Sequence, residues 1–124
     1  MSAARDEFAD YVVELMSGWG PVTARRMFGG HGLYRDGLMF ALIADEQLYF
    51  KVDDENRAAF EQADSRPFEY VMRGKPMRMS YWLAPEGCLE SPPEMAEWSR
   101  SGFAAALRAQ HKETSRKRKK PACD

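Results

Sequence analysis

Two stretches of the sequence place apolar residues at every second position, a period that is typical of β-strands. The first covers residues 22–52 and contains Asp36 and Gly37, a pair that favours a two-residue hairpin turn because both positions need a positive φ. The second covers residues 68–83. Residues 38–44 are apolar on both sides of the pleat, which indicates a central strand that is covered on both faces. The sequence therefore predicts a sheet that contains hairpins.

Helical patterns lie before and between these two stretches. Residues 3–17 carry apolar side chains at intervals of three and four, and Gly18 follows them. A shorter pattern covers residues 54–63, and either Asp53 or Asp54 fits its N-cap because a carboxylate accepts the free N–H groups of a first turn. Both helices need a sheet face on which to bury their apolar side chains.

The last helix has the clearest start signal in the chain. A Ser-Pro-Pro-Glu sequence at residues 91–94 combines an N-cap serine, a proline in the first turn and a glutamate. We expect this helix to end near Gln110. The elements then run as one helix, three or four strands, a helix, two strands and a helix. This order predicts an α+β fold of two layers, in which a single antiparallel sheet carries the helices on one face.

Charge is divided unevenly along the chain. The net charge is −1 over 124 residues, but residues 112–124 hold six Lys or Arg and two acids, so residues 1–111 hold 12 basic and 17 acidic residues. The length fits one domain. The sequence therefore predicts a folded domain over residues 1–111 and a basic disordered tail over residues 112–124, which has no core-forming residues.

Composition excludes several classes of protein. No apolar run approaches the roughly 18 residues of a membrane span, and the N-terminus is acidic where a signal peptide is cationic. Two cysteines, Cys88 and Cys123, are too few for a disulfide framework. We therefore expect a cytoplasmic chain with free thiols and no membrane contact.

Few residues are available for catalysis. The two histidines, His31 and His111, have no partner nearby in the sequence, and nothing around Cys88 indicates an activated thiol. The sequence has no zinc-ligand spacing, no Walker loop and no dinucleotide fingerprint. We therefore expect no enzymatic activity, no catalytic residue, no metal and no cofactor.

A glycine-rich segment at residues 25–34 is the first candidate binding site. Three glycines in four residues indicate positive φ, a bulge or the close approach of another backbone. One interpretation is a nest of N–H groups that binds an anion beside two arginines, and the other is a bent strand or wide hairpin. The candidate anion nest comprises Arg25, Arg26, Gly29, Gly30, His31 and Gly32.

The later strands predict a candidate interaction surface. Their alternation predicts that the helices cover Met77, Met79, Tyr81 and Leu83. A tryptophan on the opposite face would indicate a protein interface, a stacked ligand or base, or a segment of chain folded over it. The residues of this surface are Tyr49, Lys51, Arg78, Ser80 and Trp82.

The third candidate site is a run of cations in the tail. Such a run binds phosphates without sequence preference and with strong salt dependence, and it also occurs as a solubilising terminus. We expect non-specific nucleic-acid contacts from these residues. They are Arg116, Lys117, Arg118, Lys119 and Lys120.

Six blocks of sequence occur in an order found in one family. They are RMFGGHGLY at 26–34, DGLMFALI at 36–43, LYFKVD at 48–53, PFEY at 67–70, MSYW at 79–82 and APE at 84–86. This pattern resembles the N-terminal domain of the TfoX/Sxy family over roughly residues 5–109. The resemblance implies an α-β(3)-α-β(2)-α fold of the secretion-chaperone-like type.

The resemblance also implies a function. Full-length TfoX/Sxy proteins regulate genes of DNA-uptake competence as co-activators with the cyclic AMP receptor protein, so it implies a protein partner from the transcription machinery. Dimers are common among proteins of the implied fold, so a homodimer is a further candidate. The full regulators carry a second, helical domain, and we expect this chain to be a stand-alone copy of the first.

Two functions are therefore expected. The first is a non-enzymatic regulatory or binding module that acts through protein contacts, including contacts at DNA. The alternative is a small-molecule or anion-binding protein, or an unrecognised enzyme, that uses residues 25–34.

Overall fold

The computed structural model describes residues 3–27, 30–72 and 74–122. In chain order the elements are α1 (Ala3–Met16), β1 (Thr23–Met27), β2 (Gly30–Arg35), β3 (Leu38–Ala44), β4 (Gln47–Lys51), α2 (Arg57–Gln62), β5 (Pro67–Met72), β6 (Lys75–Leu83) and α3 (Pro92–Ala122). A single 3₁₀ turn, Cys88–Glu90, precedes α3.

The strands form one antiparallel sheet in the order β1-β2-β3-β4-β6-β5. This architecture confirms the predicted α+β class. The first run contains four strands where the family resemblance implied three, because residues 23–35 form a hairpin of two separate strands. The sequence pattern had left three or four open.

Two tight turns set the register of the central strands. Asp36 and Gly37 have φ of +54° and +78°, which confirms the predicted hairpin turn between β2 and β3. Asp45 and Glu46, with φ of +52° and +58°, make a second such turn between β3 and β4.

A β-bulge explains why β3 is apolar on both sides. Leu33 lies opposite Ala41, but Tyr34 lies opposite Met39, so Phe40 is an extra residue on β3. Phe40 and Ala41 are both fully buried in the core. The bulge therefore directs two consecutive side chains toward the helices.

The helices pack on one face of the sheet. Phe60 of α2 contacts Phe50 of β4 and Trp98 of α3, with ring centroids 6.4 and 4.7 Å apart. The buried core contains residues from every layer: Ala9, Val12, Met16, Leu33, Phe40, Ala41, Ile43, Leu48, Phe50, Val52, Phe60, Cys88, Met95 and Ala106.

The last helix is longer than the sequence predicted. It continues past Gln110 to Ala122, a total of 31 residues or about 46 Å. Between Gln110 and Pro121 the sequence has no glycine or proline, and Lys and Arg are good helix formers that also interact favourably with a helix C-terminus. The division into a domain at 1–111 and a tail stays a prediction. Within the described ranges, no helix is long and apolar enough to cross a membrane.

Candidate interaction surface

One sheet face points away from the core cluster. Along β4, Leu48 and Phe50 are buried under the helices, so the alternate residues Tyr49 and Lys51 face the other way. Their partners across the sheet share this orientation. We call this surface the open face, and its residues include Tyr34, Met39, Leu42, Tyr49, Lys51, Tyr81 and Leu83.

The open face is densely packed and rich in aromatic rings. Leu42 and Tyr81 are 8% and 9% exposed, although neither belongs to the core under the helices. The rings of Tyr49 and Phe68 meet edge to face with centroids 4.8 Å apart. Burial, with a smaller contribution from Tyr34, raises the pKa of Tyr81 to about 12. The Tyr81 hydroxyl therefore stays a neutral hydrogen-bond donor at physiological pH.

The prediction that Trp82 faces away from the helices is wrong. Trp82 lies opposite Phe50 and packs against the core, whereas Tyr81, predicted to be covered, lies opposite Lys51 on the open face. A shift of one residue along a strand exchanges its two faces. In β6 both the odd-numbered and the even-numbered positions carry apolar or aromatic residues, so the pattern does not show which set faces the helices. The side chain of Arg78 lies outside the described residues.

The structure does bring Tyr49, Lys51 and Ser80 to this region. The Lys51 ammonium donates a hydrogen bond of 2.8 Å to the Ser80 hydroxyl and lies 5.3 Å from the centre of the Tyr81 ring. Burial lowers the pKa of Lys51 and raises the pKa of Tyr49.

A groove lies where α3 passes the end of the sheet. Its volume is about 450 Å³. It joins the Lys51 end of the open face to the inner side of α3. Its lining residues are Leu38, Met39, Lys51, Tyr81, Ala106, Ala109, Gln110 and Glu113. We call it the α3 groove.

The glycine-rich segment is an extended hairpin strand. Gly32 and His31 pair with Arg25 and Arg26 of β1 on one side and with β3 on the other, so the sheet ladder uses their backbone groups. Strand alternation also directs the two arginines to opposite faces. A β-carbon on Gly30 would overlap the backbone of Ile43, which explains a glycine there. The described residues therefore follow the hairpin interpretation. Gly29 lies outside them.

The predicted phosphate contacts lie at the end of α3. Residues 116–120 belong to the helix, and their side chains lie outside the described residues. The expectation that they contact phosphate stays a prediction.

The family follows from comparison with known sequences. The family model of the TfoX N-terminal domain matches residues 14–106. The chain belongs to this family. It is also 32% identical over 82 residues to the DNA transformation protein TfoX1 of Aliivibrio fischeri, and this match covers 66% of the chain. The chain spans 37% of the length of that relative.

Sequence reasoning missed a polar cluster that fixes α3 of this TfoX N-terminal domain. Asp53 accepts the backbone N–H groups of Glu55 and Asn56 in the turn before α2. The N-cap of α2 is Asn56, so the prediction that Asp53 or Asp54 caps this helix is wrong. It also accepts two hydrogen bonds from Arg108, at 2.6 and 2.9 Å. The Arg108 guanidinium holds the pKa of Asp53 down at about 2. The partners are 55 positions apart, so no local pattern reveals the pair.

The amide of Asn56 connects the same region to α3. It donates hydrogen bonds to the Lys51 carbonyl and to the hydroxyl and carbonyl of Ser101. The end of β4 is thereby tied to the helix that forms the other wall of the α3 groove.

Among the described residues, no group of three or more His, Cys, Asp or Glu side chains is arranged to hold a metal ion. Burial, with a smaller contribution from the nearby Glu94, raises the pKa of Cys88 to about 12. The thiol therefore stays protonated at physiological pH.

Proposed function

We propose that this TfoX N-terminal domain is a non-enzymatic regulatory module that binds a protein partner through the open face. The observation that carries the proposal is the one-sided packing of the sheet. The helices cover one face, and the other carries the partly exposed Tyr49, Phe68 and Leu83 outside the core cluster. Aromatic residues flanked by polar groups are typical of protein interfaces.

The relative supports a role in DNA uptake. Its name, DNA transformation protein TfoX1, links that protein to transformation. The chain spans 37% of the length of that relative. We therefore propose for this chain one of the protein contacts that such a regulator makes, and not the whole activity of the regulator. The partner class that the resemblance implies is the transcription machinery, of which the cyclic AMP receptor protein is one member.

The experiment compares two leucines. Leu83→Ser changes the open face, whereas Leu107→Ser changes an exposed leucine of α3 that is 45% accessible. Each variant and the unchanged chain are used to capture proteins from the source cytosol, with and without nuclease, after circular dichroism has shown that they are folded.

The proposal expects one nuclease-resistant partner that Leu83→Ser loses and Leu107→Ser retains. Equal capture by both variants would contradict the assignment to the open face. Loss of the partner upon nuclease treatment would show that nucleic acid forms the bridge.

We also propose that the basic end of α3 adds non-specific affinity for nucleic-acid phosphates. The five consecutive cations at residues 116–120 support this, because each neutralised phosphate releases counterions. Replacing all five with glutamine should reduce the slope of log K against log salt by up to about 4. An unchanged slope in a fluorescence-anisotropy titration with duplex DNA would contradict the phosphate role.

A further inference from the structure

Lys51 is a partly buried cation that donates a hydrogen bond to a neutral hydroxyl. Its ammonium has three donors, and the neutral hydroxyl of Ser80 accepts one of them. In the described part of the chain, no carboxylate forms an ion pair with it. The carboxylate whose field reaches it is that of Asp53, and both oxygens of Asp53 are bound to Arg108. An anion beside Lys51 would therefore gain a favourable contact that the domain itself does not supply.

Lys51 lies at the edge of a cavity of suitable size. The α3 groove measures about 450 Å³, within the range of small-molecule sites. Leu38, Met39, Ala106 and Ala109 give it apolar walls, and they lie on two elements that the fold holds together. The groove thus combines a positive group with an apolar surface.

The lining residues set the charge of the occupant. Gln110 offers an amide and Glu113 a carboxylate at the end opposite Lys51. Lys51 is the one basic residue among the described lining residues, so the groove favours a ligand with one negative charge. The hydroxyl of Tyr81 is a second neutral group at the Lys51 end.

We propose that the α3 groove binds a small organic monocarboxylate, with its carboxylate on the Lys51 ammonium and its apolar body against Met39, Ala106 and Ala109. The site shares Met39, Lys51 and Tyr81 with the open face, but its ligand is tested in the absence of a protein partner. It would make the domain responsive to a small metabolite.

The experiment titrates the full chain with hexanoate and follows backbone amides by two-dimensional NMR. Hexanol tests the apolar walls without the charge, and phenyl phosphate tests a dianion. We expect saturable shifts at Met39, Lys51 and Ala109 with hexanoate, and binding at least about tenfold weaker for the other two probes.

Two variants test the assignment. Lys51→Met keeps the apolar stem and should weaken hexanoate binding about tenfold, the contribution of one charged hydrogen bond. Ala109→Leu fills the groove from the exposed side of α3 and should also weaken binding while leaving the sheet unchanged. Lys112→Gln removes one exposed charge from α3 outside the groove, and binding should stay within about twofold.

Several results would overturn the proposal. One is the absence of saturable shifts, and another is unchanged affinity in both Lys51→Met and Ala109→Leu. Equal weakening by Lys112→Gln would show a diffuse effect of charge. Equal affinity for hexanol would show an apolar groove without an anion site, and tighter binding of phenyl phosphate would refute the selection for one charge.

Discussion

Asp53→Asn tests the polar cluster that connects α3 to the end of β4. Asparagine has the same shape as aspartate, and its amide oxygen can replace Asp53 Oδ1 as the acceptor for the turn before α2. The substitution removes the negative charge that faces Arg108 and replaces the acceptor of the Arg108 Nε–H group with an amide donor. Glu55, whose carboxylate lies 3.3 Å from the Arg108 Nε and is 70% exposed, gives weak compensation. The result therefore measures the charged hydrogen-bonded pair as a unit.

The lowered pKa of Asp53 gives the expected magnitude. A fall from 3.8 to about 2 corresponds to about 2 kcal/mol, at about 1.4 kcal/mol for each tenfold change in proton affinity. The side chains of Asp53 and Arg108 are 22% and 30% exposed, and solvent screens part of this energy. We expect Asp53→Asn to lower the free energy of unfolding by about 1 to 2 kcal/mol at pH 7.

The same pKa fixes the dependence on pH. Folding lowers the pKa of Asp53, so the ionised carboxylate stabilises the folded state. This stabilisation is complete above about pH 4, where an unfolded aspartate is ionised, and is lost as pH falls through about 2. The difference in stability between the natural chain and Asp53→Asn should therefore shrink between pH 5 and pH 2.

Urea unfolding followed by circular dichroism, at pH 7, 5, 4, 3 and 2, measures this difference. Asp54→Asn is the matched control because the Asp54 carboxylate is 86% exposed and pairs with Arg57 on the surface. It should change stability by less than about 0.5 kcal/mol. The reasoning fails if the two variants are equally stable at pH 7, or if the Asp53→Asn difference does not change with pH.

Three further predictions concern single positions. Glu46→Gly should raise stability in thermal unfolding by about 0.5 to 1 kcal/mol, because a φ of +58° is strained for a residue with a β-carbon, and a lower midpoint would contradict this. Gly30→Ala should lower the free energy of unfolding, measured in urea, by more than about 2 kcal/mol, because its β-carbon would overlap the Ile43 carbonyl; near-normal stability would refute the close approach. Alkylation of Cys88 at pH 8, read by peptide mass spectrometry, should be at least about a hundredfold faster in urea, since burial raises its pKa to about 12; rapid labelling of the folded chain would be inconsistent.

Short sequence patterns correctly predicted a turn and a buried strand, because both depend on residues that are adjacent in the sequence. The turn at Asp36 and Gly37 could be predicted because few residue pairs adopt two positive φ values at low cost. The strand at residues 38–44 could be predicted as buried on both sides, although the bulge at Phe40 that achieves this has no sequence signature.

The orientation of β6 could not be predicted from alternation. Tyr81 and Trp82 are both large and aromatic, so each fits either the helix-covered face or the open face. The choice depends on which side chain fits against Phe50, a contact between strands that are distant in sequence. The pair of Asp53 and Arg108 could not be predicted either, because its partners are also distant in sequence.

The family motif at residues 48–53 contains residues that stabilise the fold and one residue, Lys51, that differs from them. Leu48, Phe50 and Val52 lie in the core, and Asp53 holds Arg108, so stability accounts for all four. Lys51 differs from them, because burial lowers the pKa of its ammonium and no described carboxylate forms an ion pair with it. A partly buried cation of this kind is the group in the block that an external anion would complete, which is the contact that the hexanoate titration tests.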